Sequence, residues 1–269
     1  MTLPDPDPAF HWSAEPWGYA LRCRPLGEVA QHLFASRQLA LPDPDRWRDA
    51  LASIDASPGR LMRVRQVHGN SVRIVKEGVE YSSEARPDGD AVISNVAATA
   101  LAVMVADCVP ILLADRRRGA AAAIHAGWRG TCAGVVTAAV AAMQREFGTR
   151  PEEVVAAIGP SAGPREYEVG EALVDAFRQS NHDQFRLDRW FIRTGGKLRL
   201  DLWAANSDQL TAAGVRPGHI HVCGLSTLAH PEIFDSYRMS GERAGRMAAI
   251  IKVPPPAASV ALPDYQAIR

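Results

Sequence analysis

Apolar positions are unevenly spaced along the chain, and their period changes several times. "LMRVRQV" (Leu61–Val67) and "SVRIVKE" (Ser71–Glu77) are β-rich runs joined by the turn signal His68-Gly69-Asn70, which predicts a hairpin. "DAVIS", "TALAVMVA", "CVPILLAD" and "AAAAIHA" add further predicted strands between Asp90 and Ala126. The period then becomes helical. From Gly130 to Gly148, residues Val135, Val136, Ala139, Val140 and Met143 share one face, and Gly148 supplies a stop. "EVVAAIG" and "HIHVCG" read as strands, "VGEALVDAFRQ" and "DLWAANSDQLTAAG" as helices, and "RAGRMAAIIK" as a short helix or strand before the loose tail "PPPAAS". Upstream, the first forty-odd residues are Pro-rich and irregular, with a helix predicted near Leu26 to Ser36 and another over Arg46–Ile54. The pattern predicts a single α+β (mixed α/β) domain over residues 1–269, with a buried mixed β-sheet or sandwich core flanked by helices.

One run breaks the apolar rule. "ADCVPILLAD" sets Asp107-Cys108 inside the most apolar stretch, where an unpaired charge is costly to bury, so the pair needs partners. His68, Cys108 and His125 fall at three predicted strand ends. Two imidazoles and a thiolate suit zinc or a soft copper site, and three protein ligands leave a fourth position open. On spacing alone, though, strand-end histidines are more often hydrogen-bonded structure.

Composition narrows the setting. The 269 residues are 47% hydrophobic and 22% charged, with thirty basic side chains balancing thirty acidic ones. There is no net positive field to hold a nucleic acid or an anionic membrane. The start, "MTLPDPDPAFHW", lacks the basic and apolar regions of a signal peptide. The longest apolar run, Thr99 to Ala114, is short for a membrane span and carries Asp107 and Pro110. Four scattered cysteines do not make a disulfide framework. A soluble cytoplasmic protein is expected, and the sequence carries no signal for its oligomeric state.

The blocks around the three candidate ligands carry more information than their spacing. "QVHG" (Gln66–Gly69), "DGDAVIS" (Asp88–Ser94), "ADCVPILLAD" and "HAGWRG" (His125–Gly130) closely resemble the YfiH-type laccase-domain family, also called the multicopper polyphenol oxidoreductase family. "YEVG" (Tyr167–Gly170), "LDLWAAN" (Leu200–Asn206), "SYR" (Ser236–Arg238) and "GR" (Gly245-Arg246) continue the resemblance in order. It implies a zinc-binding active site at His68, Cys108 and His125. It also implies phosphorolysis of purine nucleosides (adenosine, inosine, methylthioadenosine) to free base and ribose 1-phosphate, with adenosine deamination; an older assignment to the family is copper-dependent phenol oxidation. Members usually carry "TTRxGG" and "SLNLG" blocks near the N-terminus, where this chain has "LRCRPLGEVA" and "ASRQLAL". Residues 1–58 are therefore a divergent N-terminal part and 59–252 the motif-bearing core, with Arg24 aligned to the family arginine. Ser226-Thr227 stands where members carry Cys-Thr, and Met239 replaces a second arginine, so substrate range or activity is expected to differ.

Roles follow for individual residues. Zinc at the triad would lower the pKa of bound water for attack at C6 of adenosine. Asp107 and Asp90 are candidates for general acid/base work, Asp107 alternatively orienting a ligand imidazole. Arg129-Gly130-Thr131 is predicted to open the helix running to Phe147, where a helix start and a guanidinium suit phosphate; otherwise Thr131 is a cap and Arg129 an exposed charge. Asp107 itself could be hydrogen-bonded by Arg129 or by backbone amides. Trp128 and Tyr237 could stack on a purine, and Arg238 belongs with them on the substrate side. Cys132 reads as packing. Two other classes stay open: Cys108 as a metal-free nucleophile beside a histidine, and a non-enzymatic interaction module. A rival ligand set, His219, His221 and Cys223, alternates on one strand face, but successive ligands there lie about 6.6 Å apart and converge poorly on one ion.

Overall fold

The computed structural model describes residues 2–41, 43–78, 86–180 and 182–256. The chain runs β1 (Phe10–Glu15), β2 (Gly18–Cys23), α1 (Arg24–Gly27), β3 (His32–Ala35), α2 (Pro44–Ala52), β4 (Leu61–Arg63), β5 (Val72–Val75), β6 (Ala91–Ser94), β7 (Ala100–Val105), β8 (Val109–Asp115) and β9 (Ala121–Ala126). It continues with α3 (Trp128–Cys132), α4 (Val135–Phe147), β10 (Val154–Ile158), α5 (Glu171–Gln179), α6 (Gln184–Trp190), β11 (Phe191–Thr194), β12 (Lys197–Leu200), α7 (Leu202–Ala212), β13 (Ile220–Val222), α8 (Tyr237–Ser240) and β14 (Met247–Lys252).

The strands build two six-stranded mixed sheets, ordered β1-β2-β3-β14-β7-β4 and β13-β10-β8-β9-β6-β5, with β11-β12 as a small separate hairpin. The two-residue period of a strand sorts side chains between layers. Along β7, Leu101, Val103 and Val105 face a core shared with Leu112, Ala114, Ala121 and Ala123 of the second sheet. Ala100 and Ala102 face the opposite way, onto Trp47, Ala50 and Leu51 of α2. The second sheet's other face, with Ile111, Leu113, Ile124 and Ile158, packs on Val136, Val140 and Met143 of α4 and on Leu202 and Leu210 of α7. The result is α2, sheet, sheet and helices in sequence, the mixed α/β sandwich that the pattern predicts. Sheets covered on both faces have near-continuous apolar strands, which explains the unbroken run through β7 and β8. Among the described residues no helix is long and apolar enough to cross a membrane.

Several expectations change. The predicted hairpin of Leu61–Val67 and Ser71–Glu77 does not form: β4 pairs parallel with β7 in the first sheet, and β5 pairs parallel with β6 in the second. The chain does turn at His68-Gly69-Asn70, but it crosses between sheets there, because the Asp90 carboxylate gathers the His68 and Gly69 amides at 2.9 and 2.7 Å. The helix expected near Leu26–Ser36 is only the one-turn α1, and the fully buried β3 follows it. The Pro-rich start is not irregular throughout, since β1 and β2 form an antiparallel pair from Phe10↔Cys23 to Glu15↔Gly18. The helix predicted from Gly130 to Gly148 is two helices, broken at Gly134 with φ +75°. "RAGRMAAIIK" resolves to the strand β14. Of the expected loose tail "PPPAAS", Pro254–Pro256 follow β14 without regular structure, and the rest lies outside the described residues.

Candidate functional site

The site forms where three inter-strand corners meet. His68 sits in the crossover with φ +60°, and Asp107, just before Cys108 in the β7–β8 corner, has φ +82°. Both are left-handed backbone conformations that non-glycine residues adopt only where surrounding contacts hold them. His125 lies on β9, in register with Pro110 of β8. The candidate ligand atoms of His68, Cys108 and His125 all lie within 4.8 Å of one another. The two imidazole rings meet edge to face, with centroids 4.9 Å apart. Exposure is graded: His125 is buried, Cys108 intermediate and His68 exposed, so the cluster opens to one side.

Asp90 organises the cluster from behind. Fully buried, its Oδ1 accepts a hydrogen bond from His125 Nδ1 at 2.9 Å. A carboxylate only accepts, so Nδ1 carries a proton and Nε2 is turned toward the Cys108 sulfur, where it gives up its own proton when a metal is bound. Burial opposes ionisation of Asp90, but the His125 bond and the Gly69 and His68 amides outweigh it and hold the group below its usual range. Burial likewise pushes the Cys108 thiol up, yet hydrogen bonds and charge from His125 and His68 bring it down to about 6. The sulfur thus favours its thiolate form, the form that binds metal.

Gly127 is the third element of this cradle. A Cβ there would stand 2.8 Å from Cys108 Sγ and 3.3 Å from His68 Cδ2, which leaves no room for a side chain. Two imidazoles and a thiolate, converging and open on one side, fit zinc or a copper ion by chemistry and by space.

The cluster opens into a cavity of about 270 Å³. Its walls include Trp128 and Arg129 of α3, Tyr167, Leu202, and Tyr237 and Arg238 of α8. Each guanidinium lies over an aromatic ring, Arg129 on Trp128 at 4.4 Å and Arg238 on Tyr167 at 5.0 Å. Among the described residues neither arginine forms a salt bridge, so two cations face the cavity without a carboxylate partner. A second, more open cavity shares Trp128, Tyr167 and Arg238 with the first.

Asp107 also lines the cavity, but its partners are not Arg129. Oδ1 accepts from the Thr227 hydroxyl at 2.6 Å, and Oδ2 from the Ser236 hydroxyl at 3.0 Å and the Arg238 amide at 2.7 Å. Thr131 is no cap and does not line the cavity; it is fully buried, its hydroxyl bonded to Asn206. Because α3 has only five residues, the anion argument at Arg129 rests on the guanidinium and not on a long helix start. Arg24 lies exposed at the start of α1 and is not among the cavity walls.

The rival set does not converge. His219 sits in a helical turn before β13, Cys223 is buried with its sulfur accepting from the Leu225 amide, and the cluster at His68 is the one metal-capable group among the described residues. Cys132 packs between helices, its thiol 3.2 Å from the Ser180 hydroxyl. Sequence reasoning missed Tyr167 and Leu202 as wall residues, although both lie in the "YEVG" and "LDLWAAN" blocks.

A protein family described as multi-copper polyphenol oxidoreductase laccase matches residues 45–254. The chain belongs to this family. It is 42% identical over 201 residues to a purine nucleoside phosphorylase of Bacteroides thetaiotaomicron, covering 73% of this chain and 74% of the relative. An adenosine deaminase, RL5, from an unknown prokaryotic organism is 34% identical over 193 residues, covering 69% and 72%. Among solved structures, YlmD from Geobacillus stearothermophilus superposes with a TM-score of 0.80 at 27% identity, covering 93% of this chain and all of that one. The laccase-domain membership therefore agrees with the resemblance read from the sequence blocks.

Proposed function

We propose that this chain is a zinc-dependent purine nucleoside phosphorylase that also deaminates adenosine. The observation that carries the reading is the convergent His68–Cys108–His125 cluster, opening into a cavity with two guanidiniums that lie over aromatic rings, neither in a salt bridge and Arg238 also bonded to the Glu168 carbonyl. The named activities of the relatives support the same chemistry.

Zinc held by the cluster supplies Lewis acidity and activation of water. The chain's own residues do the rest. Asp90 fixes the His125 tautomer and orientation, as an outer carboxylate does for a ligand imidazole. Arg129 and Arg238 offer charge-assisted hydrogen bonds to a phosphate dianion. Trp128, Tyr167 and Tyr237 offer faces for the purine. Phosphorolysis forms a bond from phosphate oxygen to C1′ while the bond from C1′ to N9 breaks, and the base leaves with a proton. Guanidiniums that hold phosphate close to C1′ lower the entropic part of that barrier.

Laccase chemistry that reduces oxygen to water needs several coppers and correspondingly more ligands than this single three-donor cluster provides. The test is direct: incubate zinc-loaded protein with inosine, adenosine and methylthioadenosine, with and without phosphate, and follow free base and inosine by chromatography. Phosphate-dependent release of base is the expected result. If neither product forms, while copper-loaded protein oxidises phenols at a rate that Cys108→Ala abolishes, the oxidoreductase reading replaces this one. Turnover that survives chelation and still needs Cys108 would instead indicate a thiolate nucleophile.

A further inference from the structure

Tyr237 and Arg238 reach the cavity from α8, a helix of four residues, too short to fix by itself where its side chains lie. Its anchor is Asp107, 8% exposed. Of the carboxylate's roughly four lone-pair directions, three are occupied, by the Thr227 hydroxyl, the Ser236 hydroxyl and the Arg238 amide. Ser236 passes the tie on, since its oxygen accepts from the Met239 amide at 3.2 Å and caps α8. These partners stand 120 to 131 residues from Asp107 in the chain. The same dipeptide carries Cys108. The left-handed backbone at Asp107 is held in place for this arrangement, with the thiol aimed at the cluster and the carboxylate at α8.

We propose that Asp107 is a positioning residue: it holds the Tyr237–Arg238 arm over the cavity and so sets substrate affinity, without transferring a proton. The part that concerns substrate rests on the function proposed above. The part that concerns the arm does not.

Two substitutions separate this role from acid/base catalysis. Asparagine tolerates a positive φ, and its oxygen can accept from the Arg238 amide while its amide donates to the Thr227 hydroxyl. Asp107→Gly also accepts the backbone but removes every tie. Hydrogen exchange of the segment 236–240 is expected to accelerate about tenfold or more in Asp107→Gly and to stay within about threefold of the parent in Asp107→Asn. Nucleoside KM should follow exchange, rising about tenfold in the glycine variant, while kcat falls far less and both limbs of the pH profile persist. Zinc content should be retained in both. Should Asp107→Gly not fold, Ser236→Ala and Thr227→Val each remove one tie and should raise exchange and KM by smaller factors.

The proposal is overturned if exchange at 236–240 is unchanged in the glycine variant or in both single-tie variants. It is also overturned if Asp107→Asn loses kcat as severely as Asp107→Gly together with one limb of the pH profile, or if Asp107→Asn loses its metal. Absence of any nucleoside turnover would sink the proposed reaction, and the exchange measurement would still decide the tie.

Discussion

His32 in the first sheet and His125 in the second are 2% and 3% exposed, yet burial prevails at one and is overruled at the other. His32 accepts the Cys23 amide on Nε2 and bonds the Ala30 carbonyl through Nδ1. Burial with only neutral backbone partners and nearby positive charge lowers it to about 4. His125 pays the same burial penalty, but the Asp90 and Cys108 bonds outweigh it and raise it to about 9. Depth in a fold therefore does not mark a functional histidine; charged neighbours do. The first sheet uses its histidine as a neutral connector, and the second places its own within reach of two anionic groups and a cavity.

The largest expected effect is at the cluster. Cys108→Ala should lose nearly all bound zinc by elemental analysis, whereas His32→Gln and Cys223→Ala should keep it. Loss of metal in the Cys223 variant would move the site to β13 and end the contrast. Next is the carboxylate behind His125. Asp90→Asn should weaken zinc affinity about 10- to 100-fold in chelator competition, and an unaltered affinity would show that His125 is oriented by other contacts.

The pH dependence of stability tests the other half of the comparison. The folded pKa of His32 lies near 4, below its usual 6.5, so on acidification the unfolded chain takes the proton first. The stability that His32 contributes is full above pH 6.5 and is lost as pH falls toward 4. At pH 5 the linked loss is about 2 kcal/mol. Urea midpoints measured from pH 7 to 4 should fall more steeply for the parent than for His32→Gln, and parallel curves would refute the assignment. The smallest effect is expected at Arg129. Arg129→Ala should raise the phosphate KM about tenfold while leaving deamination much less affected, and equal losses in both reactions would place Arg129 on the nucleoside.

Much of the site was legible because each ligand lies inside a block with its own character: His68 in "QVHG", Cys108 beside an acid in an apolar run, His125 before "GWRG". The role of Asp90 was not, because its partners at residues 67–69 and 125 become neighbours only when β9 and the crossover between β4 and β5 close around it. The same holds for the false hairpin. Local turn chemistry at His68-Gly69-Asn70 was read correctly, but which sheet receives each flanking strand is decided by tertiary packing. The β1-β2-β3 half of the first sheet was hidden for a different reason: prolines break up the texture around β1 and β2, and "HLFA" of β3 is too short for its period to show. Gly134 ended α3 within a continuous apolar helical pattern, where a glycine alone is a weak stop signal.

The position of β14 governs the order in which the molecule can be completed. It lies in the interior of the first sheet, bonded to β3 through Phe34↔Ala249 and to β7 through Met247↔Val105. Until Lys252 has left the ribosome, β3 and β7 each expose an apolar edge with no strand to join them, and pairings across more than two hundred residues form slowly. Among the described residues β14 is the last strand in chain order, and it is the one that seals the sheet. Nascent chains are therefore most open to edge-to-edge aggregation before β14 emerges.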